Sequence, residues 1–180
     1  MKRIVVISSL ILNMGLLIVI QTGCGGKSEK KPYEILTKTT EEMTLLYFEH
    51  TGPYDQIGTT LNQLADYAAK KGIDGNMVGI WLDNPEAVIP ESLKSEIGVV
   101  VPYGYMPDSG YGIQEIPARK VVYAILKGPY PEITKEYPYI REWIKDKGYK
   151  LSAPVTEIYL EAGPNVPPVQ LVTEVQFPVE

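Results

Sequence analysis

The passage TGPYDQIGTTLNQLADYAAKKGI, beginning at Thr51, returns in altered form as KGPYPEITKEYPYIREWIKDKGY, beginning at Lys127. Gly52, Pro53 and Tyr54 correspond to Gly128, Pro129 and Tyr130. Ile57 corresponds to Ile133, and Lys71-Gly72 to Lys147-Gly148, all at one constant spacing. An internal duplication explains this pattern. It constrains the fold strongly, because whatever supersecondary unit one copy forms the other must form as well. With 180 residues the chain is long enough for one domain with a proper core.

Each copy reads as strand, helix, strand, strand. LLYFEH (45–50) and VVYAIL (121–126) are rich in apolar, β-branched and aromatic residues, with Tyr47 and Tyr123 in equivalent places. The GPY turns end these strands, since Gly permits unusual backbone angles and Pro removes a donor. Ile57, Leu61, Leu64 and Ala68 then fall at helical spacing, as do Ile133, Tyr137, Ile140 and Ile144. Gly72 and Gly148 close the helices, with Lys in each last turn. Pro138 predicts a kink or two short helices in the second copy. GIWLD (79–83) and EIYLE (157–161) are the next strands, where the offset between copies grows by two. Pro90 and Pro168, then Glu96 and Glu174, lead into EIGVVV (96–101) and EVQFPV (174–179). Residues 101–118, rich in Gly, Pro and Tyr, read as a long loop with some strand.

Strand side chains alternate between faces. Ile80 and Leu82, like Ile158 and Leu160, are aliphatic and are expected to pack on the helices. The opposite face then carries Gly79 and Trp81 in one copy, Glu157 and Tyr159 in the other, and by the same parity Tyr47 and Tyr123. A duplicated scaffold keeps packing residues in both copies and can diverge where one ligand is met from two sides. Gly79 leaves room and Glu157 supplies charge. A carboxylate among aromatic rings is partly desolvated, which raises its pKa. The alternative is a solvated glutamate on an open sheet face. The chain has 13 Tyr against 2 Phe, which fits either a gripping cleft or amphipathic packing at the core margin.

The N-terminal stretch MKRIVVISSLILNMGLLIVIQTGCGG has a positive start, an apolar run over 4–20 and then small residues, the pattern of a secretory signal (1–23). Ser8, Ser9 and Asn13 interrupt the run and argue against a permanent span. Cys24, the only cysteine, matches a bacterial lipobox cysteine, although Gln21 stands where that motif usually has Leu. The expectation is an exported protein held by a lipid anchor, with a flexible tether over 24–42 and the folded domain over 43–180 (repeats about 43–101 and 119–180). Gly25, rather than Asp, after the anchor favours the outer membrane facing the periplasm. The net charge is −5, and no basic run with interleaved aromatics follows Tyr33, so no nucleic-acid partner is expected.

IPARKVVYAILKGPY, the helix after it, and PVTEIYLEAGPNVPPVQLVTEVQFPV resemble the GyrI-like small-molecule-binding domain, also called the bacterial transcription activator effector-binding domain. The resemblance runs from Met43 to Val179 and rests on an ordered series: GPY turn, E-I-Y-L strand, PP, T-E-V strand. It implies an α+β fold. Duplicated strand-helix-strand-strand units form an antiparallel sheet with helices on one side and a ligand cleft at the pseudo-twofold. It places the family's central acid on Glu157, facing a cationic or polar aromatic small molecule. Tyr159, Trp81, Tyr47 and Tyr123 are the candidate stacking rings.

Some family members are implied to be hydrolases of strained electrophilic compounds, in which Glu157 would act as general base. The expected role here is a binding module, with such a hydrolase as the alternative. No DNA-binding helix-turn-helix precedes the domain, and an export leader argues against gyrase inhibition in the cytoplasm. No cofactor and no metal site is expected: His50 is the only histidine, and Glu96, Glu157 and Glu174 could share an ion only if they converge. Heme binding, suggested by the similar duplicated layout of SOUL proteins, would depend on His50, whose parity instead makes it a core or edge residue.

Overall fold

A computed structural model describes residues 31–163 and 165–180. The predicted leader, Cys24 and the tether up to residue 30 lie outside the described residues. The elements run β1 (Leu36–Thr39), β2 (Met43–Thr51), α1 (Gly58–Lys71), β3 (Met77–Trp81), β4 (Lys94–Val101), β5 (Gly112–Ile116), β6 (Lys120–Lys127), α2 (Tyr130–Thr134), α3 (Tyr137–Asp146), β7 (Val155–Glu161) and β8 (Val172–Pro178). The strands form one antiparallel sheet in the order β1-β6-β8-β7-β3-β4-β2-β5.

The duplication is visible in that order. β2-β4-β3 of the first copy is matched by β6-β8-β7 of the second, and β3 meets β7 at the centre with Gly79 opposite Glu157. The outermost strands are exchanged. β1 precedes the first copy yet pairs with β6 of the second, while β5 precedes the second copy and pairs with β2 of the first. The predicted tether therefore ends too late: residues 36–39 belong to the sheet. Their sequence, LTKT, is short and largely exposed, so no apolar alternation marked it as a strand; backbone pairing with β6 forms it.

Both GPY turns hold their glycine at φ values of 135° (Gly52) and 128° (Gly128), which an L side chain rarely adopts. Each of these N–H groups donates to the matching loop of its own copy: Gly52 to the Leu93 carbonyl at 2.8 Å, Gly128 to that of Leu171 at 3.0 Å. Gly72, at φ 66°, caps α1. In the second copy Pro138 divides the helical stretch into α2 and α3 and lies in the first turn of α3, where its missing N–H costs nothing.

All three helices cover one face of the sheet. Leu64 and Ala68 of α1 are buried on that side, as are Ile133 of α2 and Ile140 and Ile144 of α3. They pack over Leu46, Ile97 and Val99 in one half and Val122, Val175 and Phe177 in the other. Full burial of each such side chain contributes roughly 1.5–3 kcal/mol relative to exposure. Through the strand registers, Gly79 and Glu157 share the face of Ile97 and Val175. The predicted facing of β3 and β7 is thus reversed. Gly79, Trp81, Glu157 and Tyr159 lie under the helices, whereas Ile80 and Ile158 pack with Leu45 and Val78 on the helix-free face. Both strands are central and buried on both sides, so a contrast of aliphatic with aromatic residues does not tell inside from outside.

Candidate functional site

Glu157 lies at the centre of the sheet, on the pseudo-twofold, with 2% of its surface exposed. The hydroxyl of Tyr137, from the first turn of α3, donates to Oε1, and that of Tyr159, two residues along β7, donates to Oε2 at 3.0 Å. No lysine or arginine pairs with this carboxylate among the described residues. Burial raises its pKa above the ordinary glutamate value, against the opposing pull of Tyr137, Tyr159 and the Trp81 indole N–H. Burial and the adjacent carboxylate together push the Tyr137 and Tyr159 phenols well above their usual range, so both remain donors at neutral pH.

Rings enclose the acid. Tyr130 meets Tyr159 edge-on at 5.3 Å between centroids, and its dyad counterpart Tyr54 meets Trp81 at 4.6 Å. Tyr137 also stands edge-on to Phe177 at 5.3 Å. Gly79 is required by this crowding: a Cβ there would come within 2.8 Å of the Tyr159 hydroxyl and 3.3 Å of the Trp81 ring. The copies therefore differ at two linked positions. The second has Glu157 and Tyr137, and the first has Gly79 and, at the helical position matching Tyr137, Leu61.

Among the described residues, four polar atoms on this face are buried without a hydrogen-bond partner: His50 Nε2, Trp81 Nε1, Ser95 Oγ and Thr173 Oγ1. The indole N–H is near enough to favour the Glu157 anion but lacks hydrogen-bonding geometry. Ser95 is in register with Trp81, and Thr173 with Tyr159, so an unpaired hydroxyl flanks the acid on each side of the dyad. Buried polar groups are nearly always paired in folded proteins, by protein or by ordered water, so these atoms can take further hydrogen-bond partners.

Of the predicted residues, the structure gathers Glu157, Tyr159 and Trp81. Tyr47 and Tyr123 stand on the helix-free face, as their parity indicated, and so on the opposite side of the sheet from Glu157. Tyr47 borders a separate cavity of about 390 Å³ at the β2–β5 edge, with Glu49 and Tyr111. Tyr123 lies under Lys38, whose ammonium is 4.5 Å from its ring and pairs with Glu174 at 2.5 Å. Glu96 and Glu174 share that face, so they do not converge with Glu157. His50 lies on the helix face beside Ser95. Tyr137 and Tyr130 were missed. The signal for Tyr137 was the replacement of an aliphatic residue by a phenol between copies, at a position read only as helix packing.

Comparison with known proteins agrees with this architecture. The GyrI-like small molecule binding domain matches residues 32–180. A DNA gyrase inhibitor of Escherichia coli (strain K12) is 28% identical over 138 residues, covering 73% of this chain and 87% of the relative. That of Erwinia billingiae is 28% identical over 129 residues, covering 68% and 83%. The crystal structure of the EcmrR C-terminal domain superposes with a TM-score of 0.66 at 23% identity, covering 83% of this chain and 99% of that one. In the EcmrR–DNA complex, this chain spans 57% of the longer EcmrR chain, with a TM-score of 0.70. SAV2435 bound to tetraphenylphosphonium shares the fold at a TM-score of 0.53 and 13% identity, with 82% and 94% covered. The duplicated sheet and the family match over nearly all of the described residues lead to one conclusion: this chain belongs to the GyrI-like small-molecule-binding domain family.

Proposed function

We propose that the domain binds bulky, flat or aromatic organic cations, with Glu157 as the counter-charge and Tyr137, Tyr159, Trp81 and Tyr130 as the surrounding rings. One observation carries this: a carboxylate almost wholly removed from water has phenol donors but no cation among the described residues. A buried, unpaired anion is costly, and a ligand cation relieves that cost while its apolar groups meet the ring faces. The unpaired Ser95 and Thr173 hydroxyls offer further contacts to a polar substituent.

Tetraphenylphosphonium, the ligand of one fold neighbour, is a suitable probe. Calorimetric titration of the full chain should show binding that Glu157→Gln weakens at least tenfold, about 1.4 kcal/mol. Equal affinity in the two proteins rejects Glu157 as the counter-charge. Because the cation favours the ionised acid, affinity should rise with pH through the raised pKa, with proton release on binding.

Localisation at a membrane through a lipidated Cys24 belongs to the same proposal and rests on the charged start, apolar run and small residues of the leader. Mass spectrometry of protein from the membrane fraction tests it. A chain that keeps residues 1–23, or an unacylated Cys24, rejects it.

A further inference from the structure

The chain reaches the sheet through a short segment that is fastened at a telling place. Lys31 Nζ pairs with Glu136 Oε2 at 2.8 Å, and the Tyr33 hydroxyl donates to the same oxygen. Lys31 also lies 5.2 Å from the centre of the Tyr139 ring, and Tyr33 meets Tyr139 edge-on at 6.5 Å. Behind them Tyr33 and Ile35 pack on the cluster that holds Ile133 and Ile140. Burial works to raise the Glu136 carboxyl, yet Lys31 and Tyr33 hold it below its ordinary value, as expected of a carboxylate kept charged by its partners.

Glu136 is the junction between α2 and α3. Its N–H donates to the Ile133 carbonyl at 3.0 Å, and its own carbonyl accepts from Ile140 at 3.1 Å. The next residue is Tyr137, the donor to Glu157. Glu157 and Tyr159 are 2% and 4% exposed, so an aromatic cation reaches the carboxylate only if the side chains around it, Tyr137 among them, rearrange. Glu136 and Tyr137 are consecutive at the start of α3, so a shift of that turn would move the strap's anchor and the donor to Glu157 together.

We infer that residues 31–35 act as a strap over the α2–α3 junction, which keeps the Glu157 site shut and is released when a cationic ligand enters. This rests on the proposed role of Glu157. By reciprocity of coupled equilibria, a ligand that loosens the strap must bind more tightly when the strap is already loose, by the same factor. Residues 31–35 directly precede β1, so ligand occupancy would alter how firmly the chain leading into β1 is held.

The test uses the full chain carrying Tyr33→Phe or Lys31→Ala, with Lys135→Ala as control; Lys135 pairs with Glu132 on the exposed side of α2. Titration with tetraphenylphosphonium should show both strap variants binding about fivefold to tenfold more tightly than the parent, the low end of ordinary site coupling, and the control unchanged. Hydrogen exchange of amides 33–36 in the parent should quicken when the cation is added. If the parent binds with a Glu157-dependent affinity but neither strap variant gains affinity, or exchange at 33–36 does not change, the strap is wrong and the ligand site stands. A parent that binds no cation, or binds it equally well as Glu157→Gln, overturns both.

Discussion

Replacing Glu157 with Gln should stabilise the ligand-free domain at neutral pH, an unusual outcome for a buried polar substitution. In the folded state the carboxylate is 2% exposed and accepts two phenol hydrogen bonds, with no ion pair among the described residues. Removing such an ion from water costs several kcal/mol even after relaxation. Two charge-assisted hydrogen bonds recover roughly 1.5–3 kcal/mol each; with the amide, one phenol donates to its oxygen and the other turns to accept from its NH2, recovering roughly 0.5–1.5 kcal/mol each. Losing the charge therefore forfeits about 2–3 kcal/mol of hydrogen bonding and removes a larger desolvation penalty, for a net gain of about 1–2 kcal/mol.

In a domain of this size that raises Tm by about 2–8 °C. The sign with pH follows from linkage. Because the folded pKa of Glu157 is raised, its protonation stabilises the native state fully below the unfolded value near 4.3, and that stabilisation is lost as pH rises through the folded pKa. The gap between variant and parent should therefore be smallest near pH 4 and largest near pH 8, measured by circular-dichroism melts across that range. A gap that does not change with pH, or a variant less stable at pH 8 than at pH 4 relative to the parent, would refute the buried-charge account.

Gly79→Ala should destabilise by about 1–3 kcal/mol, because its Cβ falls 2.8 Å from the Tyr159 hydroxyl. Gly58→Ala, with nothing within 4 Å at the start of α1, should be neutral or stabilise by up to about 1 kcal/mol; urea unfolding compares the two. Tyr137→Phe leaves Glu157 with one donor fewer, which costs about 1–3 kcal/mol at neutral pH and moves the midpoint of the cation-affinity profile to higher pH. Tyr47→Phe and Tyr123→Phe, on the opposite face, should leave tetraphenylphosphonium affinity within twofold of the parent in the same titration; a tenfold loss in either would contradict the facing of the site.

The local grammar of this protein was legible in its sequence. GPY turns, helical spacing through Ile133, Tyr137, Ile140 and Ile144, and apolar strands identify each copy's elements, since backbone sterics and side-chain period act over a few residues. The break at Pro138 and the glycine angles at Gly52 and Gly128 follow from the same short-range rules. The divergence of Gly79 from Glu157 is likewise visible in the sequence, and the structure pairs the two where β3 meets β7.

Three things depended on the tertiary structure. The exchange of β1 and β5 between copies comes from long-range backbone pairing that the polar LTKT segment does not announce. The facing of β3 and β7 could not be read from polarity, because both of their sides are buried: Val78 and Ile80 on one, Glu157 and Tyr159 on the other. The partner of Glu157, Tyr137, comes from a helix brought over the sheet by packing. The hydroxyl of a residue that helical periodicity marks only as apolar is thereby placed against a buried charge that the first copy lacks.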